Sequence, residues 1–142
     1  MNSFVFQSNP ERFDLRTKII PNHLDTWYAT RYRSEMKPGD VVFFWMAGND
    51  RFRGLYGWGI IESTPYLKEG WESHGVDVQY IVKFSKPIHS KVIRSDATLE
   101  DMLIFRAPQA TNFLLTEKQT KRLVQLIIEQ GEKAPNLKGR DL

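Results

Sequence analysis

Seven consecutive apolar residues, Val41-Val42-Phe43-Phe44-Trp45-Met46-Ala47, stand between two turn sequences, Lys37-Pro38-Gly39-Asp40 and Gly48-Asn49-Asp50. The run is rich in β-branched and aromatic residues and is apolar on both alternating faces, which calls for a central strand covered on two sides. It is far shorter than the ~20 residues a membrane-spanning helix needs. The next segment, residues 53–63, reads as its partner strand and carries Gly54, Gly57 and Gly59 in its path. Glycines there predict a bulge, sharp barrel curvature or a close backbone approach. Trp58 and Ile60 would then point to one side, with Trp58 in the core.

The rest of the chain is read against this hairpin. Ser3-Phe4-Val5-Phe6-Gln7 alternates as a short strand, and Ser8-Asn9-Pro10 stops it, leaving polar groups at the strand's end. From Pro21 to about Arg33, the positions Leu24, Trp27, Tyr28, Arg31 and Tyr32 recur at three- and four-residue spacing and predict an amphipathic helix. Residues 76–84 alternate cleanly, with Val76, Val78, Tyr80, Val82 and Phe84 on one inward face. A short strand is expected over 88–93, and a short helix over 95–102 capped by Ser95 or Asp96. Thr116-Glu117-Lys118-Gln119 fits a capping box opening a helix over 117–130, ended by Gly131. Residues 132–142 hold little apolar surface and are expected to form a flexible tail behind a single domain, 1–131. Five or six strands with helices at the ends imply an α+β domain around a strongly bent sheet, a small barrel.

Composition narrows the function classes. With 142 residues, 41% hydrophobic and 26% charged, the chain has the make-up of an ordinary globular domain large enough to bury a core. It has no cysteine, which excludes disulfides, thiolate nucleophiles and iron–sulfur clusters, and its three histidines are widely scattered. No metal or other cofactor is expected. The N-terminus lacks a basic start and a continuous apolar stretch, so no secretory signal is read and a cytoplasmic location is expected, with no membrane partner. A net charge of +3 mildly favours a polyanion. No Gly-x-Ser-x-Gly nucleophile elbow is present, the paired Glu100-Asp101 would not face each other on a helix, and the glycines at 54, 57 and 59 precede no helix. Aromatic residues reach 13% with four Trp, enough for a core and a stacking site.

Several fragments in order carry a resemblance. They are Phe6-Gln7-Ser8-Asn9-Pro10 with Phe13-Asp14-Leu15, Trp27 with Arg31 and Arg33, Lys37 through Gly48, Gly54 through Ile61, Pro87-Ile88, and Pro108-Gln109-Ala110-Thr111-Asn112-Phe113 running into Leu115-Thr116. Together, over about residues 3–130, they resemble an EVE domain of the PUA-like superfamily, related to the YTH readers. The resemblance implies a PUA-like bent mixed sheet or barrel flanked by helices, with a pocket for a modified nucleobase of the 5-methylcytosine type. DNA or RNA carrying such a base is the partner it implies, with restriction or nucleic-acid-processing enzymes as functional partners. By position the pocket would draw on Gln7, Ser8, Asn9, Trp27, Trp45, Ala47, Gly48, Thr111, Asn112 and Phe113. One departure is Ala110, where the family pattern has Gly; the added methyl group would narrow the pocket or reposition Thr111.

On this reading Trp27 and Trp45 form a partial cage stacking on a flipped base, while Asn9, Ser8 or Thr111 bonds its Watson–Crick edge. Arg31, Arg33 and Arg53 are the expected phosphate contacts, drawn from a scattered set that also holds Arg12, Arg16 and Arg51. The plainer readings are core packing for Trp45, turn capping for Asn9 and Asn112, and solvated surface for the arginines. The function expected is a non-enzymatic binding module. The alternatives are a small PUA-like enzyme, such as an ASCH-type hydrolase or RNA-processing nuclease, and a protein-interaction domain with an empty cleft.

Overall fold

The apolar run forms strand β3, Val41–Met46, and every residue of it is buried. Strand β1, Ser3–Ser8, runs parallel to it from Ser3 opposite Val41 to Ser8 opposite Met46. Strand β4, Gly54–Ile61, pairs antiparallel on its other side. The remaining strands are β2 (Leu24–Tyr28), β5 (Tyr66–Lys68), β6 (Ser73–His89) and β7 (Asn112–Leu114). The computed structural model describes residues 1–107 and 109–137. Its strands make one mixed sheet of order β2-β6-β4-β3-β1-β7, with the short β5 added to β6. The expected bent mixed sheet is therefore found, with six strands in its path and a seventh beside it.

Alternation along β1 and β3 creates two cores, one on each face. Val5, Phe43 and Trp45 belong to one, with Leu123, Leu126 and Ile127 of helix α3 (Glu117–Glu129) packed over them. Phe4, Phe6, Val42, Phe44 and Met46 belong to the other. On this second face the sheet curls until β2, at one edge, meets the strands at its far side: the Trp27 ring lies 6.0 Å from Phe6 and 5.2 Å from Phe44. The Asn112 side chain, on the opposite edge strand, closes the curl by donating to the Tyr28 carbonyl at 2.9 Å and accepting from the Thr30 N–H at 2.9 Å.

The glycines in β4 permit this curvature. A Cβ at Gly54, Gly57 or Gly59 would sit 2.2, 2.2 or 2.3 Å from the carbonyl oxygens of Ile88, Val82 and Gln79 across the strand pair. Register shifts between β4 and β6 fall at the same places, as expected of bulged strands. They also divide the expected inward face of residues 76–84. Val76, Val78 and Tyr80 enter the curl, whereas Phe84 belongs to the opposite core and Val82 packs against it.

Three expected elements differ. Residues 21–33 hold strand β2, Leu24–Tyr28, rather than a helix: Leu24 and Tyr28, an i,i+4 pair, are both exposed, while Trp27 and Ala29 are buried at period two and β2 pairs with β6. Pairing across the sheet overrides the helical spacing. Residues 88–93 are not a separate strand; β6 runs to His89 and a single helical turn, α2 (Ser90–Arg94), follows. Residues 95–102 turn without forming a helix. Asp96 does accept from the Thr98 N–H at 3.0 Å, as a cap would, but its carboxylate is also held by Arg122 at 2.7 Å. Another one-turn helix, α1 (Leu15–Lys18), is capped by Asp14. The final helix carries the Thr116–Gln119 capping box the sequence predicts.

Beyond α3, within the stretch expected as a tail, the Lys133 carbonyl accepts from Trp58 Nε1 at 2.8 Å and Glu132 accepts from the Ser85 N–H at 2.9 Å. Residues 138–142 of that stretch lie outside the described residues. Among the described residues no helix is long and apolar enough to cross a membrane.

Candidate functional site

β1 and β3 run parallel, so both end on the same side of the sheet, and the chain opens there into a cleft of about 890 Å³. Gln7 and Ser8 line it from β1 and Asn9 from just beyond its end, Ala47 and Gly48 from beyond the end of β3, and Thr111 from the approach to β7. The structure brings these six predicted residues together in one cleft. Backbone bonds fix them: Ala47 N–H donates to the Ser8 carbonyl at 2.9 Å, and Gln7 N–H to the Thr111 carbonyl at 2.8 Å. Gly48 has φ +110°, and a Cβ on it would meet Phe52 at 3.0 Å and Pro10 at 3.1 Å, so the turn after β3 requires glycine. The Ala110 carbonyl accepts from Gln7 Nε2 at 2.8 Å, which anchors the 109–111 wall to β1.

A second compartment of about 360 Å³ adjoins the cleft and shares Gln7, Ser8, Asn9, Arg12 and Thr111 with it. Its walls are aromatic. Trp27 meets Phe13 edge-on, ring centroids 5.2 Å apart, and Tyr28 lies against Trp71 at 4.5 Å and 34°. Two polar features sit in this frame. The Ser8 hydroxyl is buried with no hydrogen-bond partner among the described residues. Trp27 Nε1 donates to the Tyr80 hydroxyl at 2.9 Å, which donates to Asp25 Oδ2 at 2.8 Å. Burial pushes the Tyr80 ionisation well above the usual phenol range, so this hydroxyl stays protonated.

Three predicted pocket assignments are not supported by the geometry. Trp45 is fully buried on the opposite face of the sheet from Trp27, edge-on to Phe105 at 5.7 Å. Its neighbour Phe44 points into the curl with Trp27, so Trp45, next along the strand, points to the other face. Trp27 and Trp45 therefore form no cage. Phe113 belongs to the same core as Trp45. The Asn112 side chain is fully engaged in closing the sheet. Asn9 lines both compartments, and its Oδ1 also caps the turn by accepting from the Glu11 N–H at 3.0 Å.

The cations also differ from expectation. Arg31, Arg33 and Arg53 are absent from the walls of both compartments, where Arg12 lines both and Arg16 lines the cleft. Arg16 is bound to Asp14 at 2.8 Å and lies over the Phe52 ring at 5.0 Å; its guanidinium holds the Asp14 carboxyl below the ordinary range. Arg53 is partly buried by the chain around it, with Nε unpartnered among the described residues.

Sequence reasoning missed Phe13, Asp25, Tyr28 and Trp71 as wall residues. Trp71 had a legible signal: an indole inside the turn-like, charged stretch Lys68-Glu69-Gly70-Trp71-Glu72 is poorly placed for a core. Asp25 and Tyr28 had none, because their role depends on residues 24–28 being a strand.

A family model described as the EVE domain matches residues 2–126. Solved structures of this fold include a hypothetical protein from Leishmania major, at 15% identity over 93% of this chain and 98% of that chain, TM-score 0.74. Human THYN1 in complex with 5-methylcytosine-containing DNA is 18% identical over 95% and 100%, TM-score 0.68. The YTH domain of Zygosaccharomyces rouxii MRB1 in complex with N6-methyladenosine RNA is 14% identical over 99% and 91%, TM-score 0.57. No curated protein sequence matches the chain.

Proposed function

This chain belongs to the EVE domain family, and from that premise we propose that it is a non-enzymatic module that holds one modified base of a nucleic acid in its aromatic compartment. The observation that carries this reading is the pairing of two compartments: an aromatic recess of about 360 Å³, walled by Trp27, Phe13 and Trp71, opens into a larger arginine-lined cleft. The recess has the volume and aromatic walls for one planar heterocycle. The cleft has the volume and charge for the sugar and phosphates that stay outside.

Physical chemistry divides the work between them. Stacking on an indole contributes about 1–3 kcal/mol per base and does not depend on its identity. Polar groups choose, because a wrong base leaves them buried and unpaired. The unpartnered Ser8 hydroxyl is one such group. A methyl group adds only ~0.8 kcal/mol on burial, about fourfold in affinity, so discrimination between methylated and unmethylated forms should be modest. A human relative captured with 5-methylcytosine DNA and a yeast relative captured with N6-methyladenosine RNA support the ligand class.

The test is a panel of short single- and double-stranded oligonucleotides, each with one methylated or hydroxymethylated base, measured at fixed salt. Saturable binding that favours a modified member, and that falls about 10-fold or more in Trp71→Ala with the unfolding midpoint little changed, is the expected result. Equal binding by Trp71→Ala, or no preference across the panel, would sink the proposal. Turnover of a panel member by the purified protein would favour the hydrolase reading instead.

A further inference from the structure

The aromatic recess has a carboxylate in its wall. Asp25 lies two residues before Trp27 on β2, and the residues opposite the pair on β6, Val78 and Val76, are both buried in the curl of the sheet. Asp25 and Trp27 thus share the inward face, and both line the recess. The Tyr80 hydroxyl joins them: it accepts from Trp27 Nε1 at 2.9 Å and donates to Asp25 Oδ2 at 2.8 Å. Tyr80 is 1% exposed. Since the indole N–H can only donate, the phenol must receive there, and its single proton points to Asp25. The other carboxylate oxygen accepts from the Thr26 N–H at 2.8 Å. Donors from both sides hold the group in one orientation.

A carboxylate offers about four acceptor sites and, when ionised, no donor. Two of those sites are used by Tyr80 and Thr26. Whatever polar edge enters the recess next to Asp25 must therefore donate. Cytosine and adenine carry an exocyclic amino group on the edge that pairs in a duplex, and a singly methylated amine still keeps one N–H. Thymine, uracil and hypoxanthine present a carbonyl oxygen at the same position, which would leave two acceptors facing each other in a dry, aromatic site.

We propose that Asp25, oriented by Tyr80 and Trp27, makes the recess selective for amino-bearing bases, modified cytosine or adenine, over their keto counterparts. This rests on the base-holding reading above and names the class of base that reading leaves open. Asp25 is the specificity-determining residue and Tyr80 a positioning residue. The selectivity belongs to the edge of the base and is independent of the methyl group.

The experiment compares two near-isosteric pairs in single-stranded oligonucleotides of fixed sequence: 5-methylcytosine against thymine, and adenine against hypoxanthine. Wild type should bind the amino member of at least one pair about 10-fold or more tightly. Asp25→Asn, whose amide both donates and accepts, should compress that ratio to about threefold or less. Tyr80→Phe keeps the ring and removes the orienting donor, so it should lower the ratio while leaving part of it. It also serves if Asp25→Asn fails to fold. Equal wild-type affinity within both pairs, with binding otherwise intact, overturns the role of Asp25 and spares the base-holding reading. An unchanged ratio in the folded Asp25→Asn protein does the same. Failure to bind any member of either pair overturns the base-holding reading and this inference with it.

Discussion

Trp27 and Trp45 lie on opposite faces of one sheet, the first against Phe44 in the curl and the second against Phe105 beneath the helical side. The two indoles therefore have different jobs, and substitution separates them. Trp45→Ala should lower stability by about 3–5 kcal/mol, the range for emptying a large buried aromatic site. Trp45→Phe refills most of that space and removes an N–H that has no partner among the described residues. Oligonucleotide binding by Trp45→Phe should match wild type when both are measured below their unfolding midpoints. A folded Trp45→Phe protein that has lost binding would return Trp45 to the site.

Asn112 joins the two edges of the curled sheet, so its truncation should open the curl. Asn112→Ala leaves the Thr30 N–H and the Tyr28 carbonyl without their partner. The expected loss is about 2–3 kcal/mol, read as a lower midpoint in urea unfolding. Because Tyr28 lines the recess, weaker binding should accompany it. Asn112→Asp keeps the acceptor for Thr30 but buries a carboxylate against the Tyr28 carbonyl, so it should destabilise at least as much as Asn112→Ala.

Arg12 is exposed, lines both compartments and has no acidic partner among the described residues, whereas Arg16 is already countered by Asp14. Removing Arg12 should weaken binding to all oligonucleotides by a similar factor, whatever base they carry. It should also reduce the slope of log affinity against log salt by about 1. Arg16→Ala should change that slope less. Identical slopes for wild type and Arg12→Ala would show that no phosphate contact runs through Arg12.

Asp96 links the turn after α2 to α3 through Arg122. Burial pushes its carboxyl upward, but hydrogen bonds from Arg122 and the Thr98 N–H outweigh that and leave it below the ordinary range. A carboxyl depressed on folding adds stability above its unfolded value, about 3.9, and that stability is lost as pH falls through the folded value. Asp96→Asn should therefore unfold at a lower temperature than wild type at pH 7. The two thermal midpoints should converge as pH drops below about 4, towards the folded value. A gap that stays constant to pH 2 would assign the effect to packing instead.

Much of the architecture was legible before any coordinates. Val41–Met46 reads as a central strand because both its faces are apolar, and glycines at 54, 57 and 59 signal a bulge, curvature or close approach, which the structure shows as carbonyl oxygens 2.2–2.3 Å from where a Cβ would sit. The capping box at Thr116 and Gln119 is complete within four residues. Gln7, Ser8, Ala47 and Gly48 were placed together by the family resemblance, and the parallel pairing of β1 and β3 is what sets them side by side at one cleft. What tertiary structure alone decided is which face each side chain meets. Leu24, Trp27 and Tyr28 have helical spacing in the sequence, yet pairing with β6 makes them a strand, and only then does Asp25 reach Tyr80 and the recess. Trp71, Phe13 and Trp27 come from separate segments and meet because the sheet curls. Local chemistry fixes the strands and their ends, whereas curvature summed over a whole sheet brings its distant edges into contact, and no short window of residues encodes that sum.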